Sequence, residues 1–331
     1  MERYINPFVD YGFKKLFGTE ENKDLLISLL NALLGEEEDP IKDLKYKNVE
    51  QIGEVNGTRT NYFDVYCTTE SGREFIVEMQ NTWKPFFKDR TLYYAAKPIR
   101  DQGKRGLQEA LDAGKANGAG RAVGPGQEDA PEGKPSKPKA WDHHLNDVYL
   151  VAVMNFSLPR KEYPDDSYYH KIKLMDVEDH HVFYDKLTLI YLEMPKLKNV
   201  VLDLGTMRGK WLYALHVLSN YDYQPEELKD GVFDKLFRQA ELANFTPAQD
   251  LAYERSQKVY WDTYNEIRGA KLIGHEEGLA EGERRGLAKG KELGIREEKL
   301  AMARRLLDRG MTMEEVCVLT GLSPNDLSLL T

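Results

Sequence analysis

Two acidic residues of the chain are spaced so that their side chains could bind one divalent cation. Asp64 and Glu78 lie in residues 62–80, which read YFDVYCTTESGREFIVEMQ and alternate between apolar and polar positions. If this stretch forms a β-hairpin, the two carboxylates face each other across adjacent strands, where their like charges repel. A cation removes that repulsion, and oxygen ligands are those that Mg²⁺ and Mn²⁺ prefer. The alternative is a solvated sheet face that carries two acids and no metal.

The same stretch predicts a hairpin register. The tripeptide ESG suits a three-residue loop in which Gly72 takes the left-handed conformation. This loop pairs apolar residues on one face of the sheet: Cys67 with Phe75, Val65 with Val77 and Phe63 with Met79. The other face then carries Asp64 opposite Glu78, and Tyr62 opposite Gln80. A slip by one residue would mix apolar and acidic residues on both faces.

The composition is that of an ordinary globular protein. The chain has 331 residues, 41% hydrophobic and 11% aromatic, enough for one large core and a second small module. No apolar run approaches the length of about 18 residues that a membrane span needs, and the N-terminus lacks the apolar region of a signal peptide. The two cysteines, Cys67 and Cys317, lie far apart in the sequence. We therefore expect a reduced, cytoplasmic protein with no membrane partner.

The charge distribution leaves room for a local anion-binding surface. The formal net charge of −9 argues against a broadly basic coat for nucleic acid. A helix predicted from about Lys88 nevertheless carries Arg90, Lys97 and Arg100 close behind the two acids. These cations indicate either a phosphate-binding surface or a solvated helix face, and their charge alone favours the solvated face.

The remaining elements must position this hairpin. The periodicity predicts two helices within residues 1–35, strands near residues 41–53, 148–156 and 187–197, helices over 209–221 and 225–245, and a long final helix from about residue 253. The run DVYLVAVMNF is typical of a strand buried on both faces. This order predicts the α/β class, with a mixed β-sheet core flanked by helices.

Three segments stand apart from that core. Residues 103–140 are dominated by Gly, Pro, Ala and charged residues, so we expect a disordered low-complexity insertion. Glycine recurs every fourth residue from 274 to 294, which indicates a charged helical arm over 269–298, either loose or self-associating. Residues 299–331 read as short capped helices, with a capping box predicted at Thr312 and another at Ser323. They form either a DNA-binding helix-turn-helix or a small interaction bundle.

Motifs for several other chemistries are absent or weak. The pairs His143-His144 and His180-His181 each supply at most one ligand to a metal site, because adjacent side chains point apart. The sequence contains no HExxH or CxxC motif, and no glycine-rich turn that would bind a nucleotide cofactor. An enzyme that depends on a nucleotide cofactor is therefore not expected.

The chain resembles the Rpn family of recombination-promoting nucleases and transposases, within the PD-(D/E)XK nuclease superfamily. The resemblance runs from residue 1 to about residue 270, interrupted by the insertion, and defines a nuclease-like domain of residues 1–268. It is carried by four stretches: DYGFKKLFG, FDVYC, FIVEMQ and FKDRTLYYAAKPIRDQ. It implies a restriction-endonuclease-like fold, with a long C-terminal helical arm and a small terminal helical bundle.

The resemblance also implies site residues. The acid of the second strand falls on Asp64, and the (D/E)-x-K motif of the third strand falls on Glu78, Met79 and Gln80, with Gln in place of Lys. Asp10 is implied as a further catalytic acid. Asp64, Glu78 and the Met79 carbonyl would hold Mg²⁺ or Mn²⁺. The implied DNA contacts are Lys14, Arg90, Arg100 and Gln102.

We therefore expect a DNA endonuclease that depends on a divalent metal ion and is linked to recombination or mobile elements. Gln80 cannot act as a general base, although it can orient the attacking water. The alternatives are a catalytically weak protein that binds DNA or other proteins on the same scaffold, and a protein that self-assembles through its C-terminal arm as a homo-oligomer.

Overall fold

A computed structural model describes residues 3–47, 63–118, 143–159 and 166–328. The chain divides into two compact units, Met1–Tyr260 and Trp261–Thr331. The sheet lies in the first unit, and the described part of the second is helical. None of the described helices is long and apolar enough to cross a membrane. Residues 48–53 of the strand predicted at 41–53, and residue 62 of the hairpin, lie outside the described residues.

Two helices open the first unit, α1 (Asp10–Phe17) and α2 (Lys23–Leu34). The leucine-rich face of α2 is buried, as its spacing predicts. Helix α1 packs closely on the chain before it: a Cβ on Gly12 would lie 2.2 Å from the carbonyl oxygen of Asn6. Only glycine permits this approach, which fixes the position of α1 and with it the side chains of Asp10 and Lys14.

Six strands form one mixed sheet in the order β1-β2-β3-β4-β6-β5. The strands are β1 (Leu44–Tyr46), β2 (Val65–Thr69), β3 (Glu74–Gln80), β4 (Val148–Met154), β5 (Tyr169–Met175) and β6 (Val182–Glu193). Strand β4 runs parallel to both β3 and β6, and the other neighbouring pairs are antiparallel. Every residue of β4 is buried, as its apolar run predicts. The sheet confirms the predicted α/β class and restriction-endonuclease-like core.

Helices cover both faces of the sheet. One face, which includes Cys67 and Phe75, packs against α1, α2 and two later helices, α4 (Met207–Asn220) and α5 (Gly231–Ala240). The other face packs against α3 (Phe87–Gly118) through Tyr66, Ile76 and Ala95. The sequence predicted a half-buried hairpin. The hairpin is buried on both faces instead, because α3 lies over the face on which the alternation of β3 places Glu78.

Helix α3 is longer than expected. Residues 103–140 were predicted to be a disordered insertion, but residues 103–118 continue α3, and residues 119–140 lie outside the described residues. The first part is rich in helix-forming residues such as Leu, Gln, Glu and Ala. Arg105 in this part also donates a hydrogen bond of 2.6 Å to the buried carboxylate of Glu74 on β3, which ties the helix to the sheet.

The far edge of the sheet contains one strand that the sequence did not predict. Strand β5 pairs only with β6 among the described strands, and its side chains are half-buried or exposed. The strand predicted at residues 187–197 is β6, which begins earlier and ends at Glu193, where a 3₁₀ helix, Met194–Asn199, follows. The helix predicted at 209–221 is α4, and the region 225–245 contains α5 between two short 3₁₀ helices.

The C-terminal part begins with the long helix α6 (Pro247–Leu307), followed by α7 (Met313–Thr320) and α8 (Pro324–Leu327). Helix α6 runs without a break through the glycine repeat. Both predicted capping boxes are present, Thr312 with Glu315 and Ser323 with Asp326. The predicted boundaries at residues 268 and 298 lie inside α6, so the division of this region into an arm and a terminal module stays a prediction.

Candidate active site

The β2–β3 hairpin has the predicted register. Its antiparallel partners include Val65 with Val77 and Cys67 with Phe75. Gly72 has a φ of +84°, the left-handed conformation expected of it. Asp64 lies directly before β2, and its Oδ2 accepts a hydrogen bond of 2.5 Å from the backbone N–H of Met79. The hairpin therefore holds the Asp64 carboxylate against the segment of β3 that carries Glu78.

Helix α1 adds a third carboxylate to this pair. Asp10, the first residue of α1, pairs with Lys14 one turn later at 2.8 Å. The charge of Asp10 raises the pKa of Asp64, and so does a side-chain hydrogen bond that the protonated Asp64 carboxyl can donate to Asp10. The structure therefore brings Asp10, Asp64 and Glu78 together from three different parts of the sequence.

Helix α3 supplies the other side of the site. Gln80 donates a hydrogen bond of 2.9 Å from its Nε2 to Glu78 Oε2. Arg90 on α3 donates one of 2.7 Å to Gln80 Oε1, and its guanidinium lies 5.9 Å from the ring centroid of Tyr94. The amide of Gln80 thus links a carboxylate of the site to a cation of α3.

Burial makes the charged forms of the carboxylates unfavourable. Loss of hydration raises the pKa of Asp64 from 3.8 to about 6, although the hydrogen bond from Met79 acts in the opposite direction. Burial, followed by the charge of Asp64, raises the pKa of Glu78 well above its ordinary value, and Arg90 and Gln80 offset part of this effect. For Lys14, burial acts to lower the pKa, but the pairing with Asp10 and the charges of the other two acids raise it overall.

The carboxylates fit a divalent cation. Glu78 Oε1 is buried and has no hydrogen-bond partner among the described residues. Buried polar atoms in proteins normally have a partner, and a metal ion bound to this oxygen would supply one. Asp64 supplies a second oxygen donor beside it, and hard oxygen donors suit Mg²⁺ or Mn²⁺. The Met79 carbonyl follows Glu78 directly in β3, and its role as a third ligand stays a prediction.

A second acidic group lies in the turn between β5 and β6. The ligating atoms of Asp176, Asp179 and His181 are within 4.8 Å of one another. Asp176 Oδ1 already accepts hydrogen bonds from the backbone N–H groups of Glu178 and Asp179, and the group is mostly exposed. His181 contributes one possible ligand from the pair His180-His181, as expected. The turn geometry explains this cluster without a metal.

The predicted DNA contacts have different environments. Arg100 is exposed on α3, but Gln102 is buried. The Gln102 side chain accepts a hydrogen bond of 2.6 Å from the backbone N–H of Asn146 and donates one of 3.3 Å to its carbonyl oxygen. These contacts join α3 to the start of β4 and indicate a structural role rather than the predicted contact with DNA. The hydrogen bond between Arg90 and Gln80 was not predicted, because no local pattern relates a strand end to the helix that follows it.

Comparison with known proteins identifies one family. The family model described as PD-(D/E)XK nuclease family transposase matches residues 7–114 and 125–270, which is most of the chain. The matched residues include α1, the β2–β3 hairpin and the first turns of α3, and therefore every residue of the site described above. No curated protein and no solved structure matched the chain.

Proposed function

This chain belongs to the family of PD-(D/E)XK nuclease transposases, and on that premise we propose that it hydrolyses DNA phosphodiester bonds with the help of Mg²⁺ or Mn²⁺. Family membership supports a nuclease role connected with mobile elements. The observation that carries the metal-dependent reaction is the pair Asp64 and Glu78, whose pKa values are raised and one of whose oxygens has no partner.

In the proposed reaction, Asp64 and Glu78 would hold the metal ion, together with the Met79 carbonyl. A bound divalent cation would polarise the scissile phosphate and lower the pKa of its water. Gln80 has no titratable proton, so its task is to orient: it holds Glu78 in place and can donate a hydrogen bond to the attacking water. Without the superfamily lysine, catalysis depends more strongly on positioning.

Two cations beside the carboxylates favour an anionic substrate. The raised pKa of Lys14 keeps its ammonium group charged at neutral pH. Arg90 is held near the carboxylates by its hydrogen bond to Gln80, and its charge acts on Glu78. Both groups can compensate the negative charge of a phosphate that binds at the carboxylates. Asp10 is the most exposed acid of the site, with 60% of its side chain accessible, and is the acid best placed to pass a proton from the attacking water to solvent.

Plasmid nicking tests this proposal. Asp64→Asn and Glu78→Gln should each reduce Mg²⁺-dependent conversion of supercoiled to open-circular DNA by about 100-fold or more, because each removes a charged metal ligand. Asp24→Asn is the matched control, since Asp24 is an exposed aspartate that pairs with Lys235. Circular dichroism of each variant checks that the fold survives. Nicking at the wild-type rate in Asp64→Asn would exclude the proposed site.

A second candidate function follows from the glutamine. Because Gln80 cannot take the catalytic part of a lysine, the scaffold could bind DNA or a protein without cutting. Wild-type protein that binds DNA but leaves it intact with both Mg²⁺ and Mn²⁺ would establish this function.

The proposal has four further parts. They are the Rpn assignment, the link to recombination, the cytoplasmic location and self-association through residues 269–298. Truncation after Arg268 with unchanged oligomer size would contradict the last of these.

A further inference from the structure

A short loop next to the candidate active site exposes aromatic side chains to solvent. Residues 81–86 connect β3 to α3, and they follow Gln80 directly. Trp83 and Phe86 in this loop are exposed, and so is Tyr93 two turns into α3. Phe86 is 76% exposed. Exposed apolar groups that cluster in this way mark interaction surfaces.

The structure holds this loop in a fixed position. The hydrogen bond between Gln80 and Arg90 closes the loop at its base. The next residue after Phe86, Phe87, is buried and packs edge-on against Phe156 at a centroid distance of 5.5 Å. Burial of Phe87 therefore directs Phe86 outward. The ring of Phe86 is exposed in the loop that follows Gln80 instead of folding into the core.

The backbone of Phe86 is also strained. Its φ is +61°, in the left-handed region that bulky residues rarely adopt. A residue with a small polar side chain would satisfy this conformation at lower cost. The exposed ring of Phe86 makes little contribution to packing in the monomer. Strain of this kind persists mainly at functional positions, which points to a ligand for the ring.

The charges around the rings select the type of ligand. Lys84 lies between Trp83 and Phe86 and is exposed, and Arg90 lies at the base of the loop. Aromatic rings interleaved with cations are the arrangement that binds unpaired nucleotides, because the rings stack on bases while the cations contact phosphates. In a duplex the faces of the bases are covered by their neighbours, and inserting a ring costs the energy of unstacking them. Unpaired bases can stack on these rings without that cost.

We propose that Trp83 and Phe86 stack on unpaired bases next to the scissile phosphate, so that the preferred substrate is single-stranded DNA or a duplex with an unpaired segment. This inference rests on the proposed nuclease function and extends it to the class of substrate. The competing occupant of the same surface is a second copy of the chain, which would cover the rings in a dimer.

Binding of labelled oligonucleotides without metal tests the inference separately from cleavage. The full-length protein is titrated in EDTA into a labelled oligo-dT strand and into a perfect duplex, and fluorescence anisotropy is measured. Phe86→Asn removes the ring, and Asn tolerates the left-handed backbone. Its affinity for oligo-dT should fall about tenfold, with duplex affinity nearly unchanged. Trp83→Ala should act in the same direction, and Phe86→Trp should retain the wild-type affinity.

Phe183→Asn is the matched control, because Phe183 is exposed to a similar degree, 73%, but lies on β6. Its affinity for oligo-dT should match that of the wild type. Equal affinity of Phe86→Asn and wild type for oligo-dT overturns the inference, and so does a wild-type protein that does not bind oligo-dT. A dimer of the wild type that dissociates in Phe86→Asn, measured by sedimentation velocity, overturns it in favour of the second copy.

The same variants separate this inference from the proposed function. If the wild type nicks plasmid but the ring variants bind oligo-dT normally, the substrate inference fails and the nuclease function stands. If ring-dependent binding is present but no DNA is cut with Mg²⁺ or Mn²⁺, the nuclease function fails. Cleavage of a mismatched duplex faster than of a perfect one, with this preference lost in Phe86→Asn, supports both.

Discussion

Replacing Asp64 by asparagine should stabilise the metal-free protein at neutral pH. The folded state holds the Asp64 carboxylate in a poorly hydrated position next to two other acids, and its pKa rises from 3.8 to about 6. Asparagine has nearly the same shape, can accept the hydrogen bond from Met79 and carries no charge. The substitution therefore removes the unfavourable charge and keeps the contact with the backbone.

The size of the effect follows from linkage. A rise in pKa from 3.8 to about 6 corresponds to about 3 kcal/mol of unfolding free energy at pH 7, at about 1.4 kcal/mol for each pKa unit. The Asp64 residue is half-buried rather than fully buried, and screening by the remaining solvent reduces this value to about 2 kcal/mol. The free energy corresponds to an increase in Tm of about 5 °C in a domain of this size.

The sign depends on pH in a defined way. Because the pKa is higher in the folded than in the unfolded state, the folded wild type binds more protons between about pH 4 and pH 6, and its stability falls as pH rises through that window. Asp64→Asn cannot ionise. Its advantage over the wild type should therefore be near zero at pH 4 and complete at pH 7.

Thermal unfolding of metal-free protein, followed by fluorescence at several pH values, measures this difference. Asp24→Asn, which breaks an exposed ion pair with Lys235, should change stability by less than about 1 kcal/mol. Adding Mg²⁺ at ten times its Kd should stabilise the wild type by about 1.4 kcal/mol and leave Asp64→Asn unchanged. A lower Tm for Asp64→Asn at pH 7.5, or an advantage of equal size at pH 4, would refute the reasoning.

Three further substitutions test other parts of the structure. Gly72→Ala forces a side chain into the left-handed conformation of the hairpin loop and should lower the free energy of unfolding in urea by about 1–2 kcal/mol. Arg105→Ala removes one of the cations that pair with the buried Glu74, and should lower it by about 1–2 kcal/mol. Gln80→Lys should slow plasmid nicking about tenfold or more rather than restore a superfamily motif, because Arg90 loses its acceptor.

Local patterns in the sequence predicted the hairpin better than the elements at the edges of the fold. The alternation of residues 62–80 and the position of Gly72 determine one register, because a slip by one residue would mix apolar and acidic residues on both faces. Strand β5 was missed because an edge strand with half-buried side chains lacks a clear apolar period. The segment 103–140 was predicted to be disordered throughout, from its composition as a whole. That composition gives no information about the ion pair between Arg105 and Glu74, which ties the helical start of the segment to the sheet.

In the candidate site, too, local relations could be predicted from the sequence and tertiary ones could not. Asp64 and Glu78 could be paired from the sequence because a hairpin relates them locally. Asp10 could be identified only by resemblance, since its approach to Asp64 depends on how α1 packs. The link between Gln80 and Arg90 depends on the start of α3. The buried position of Gln102 depends on its contacts with Asn146, just before β4. These contacts are tertiary, and the periodic patterns of a single sequence do not predict them.

The hydrogen bonds of Gln80 explain why a glutamine suits this position. A carboxamide both donates and accepts, so it can hold Glu78 through its N–H and Arg90 through its oxygen at the same time. A lysine can only donate, so it could bind Glu78 but could not accept the hydrogen bond from Arg90. It would also place a second positive charge next to Arg90. Where the general motif has a lysine on the third strand, this chain has an uncharged amide, and Arg90 of α3 donates a hydrogen bond to it. Gln80 and Arg90 therefore act as a unit, and a variant that changes one of them without the other removes the orientation of Glu78 on which the proposed metal site depends.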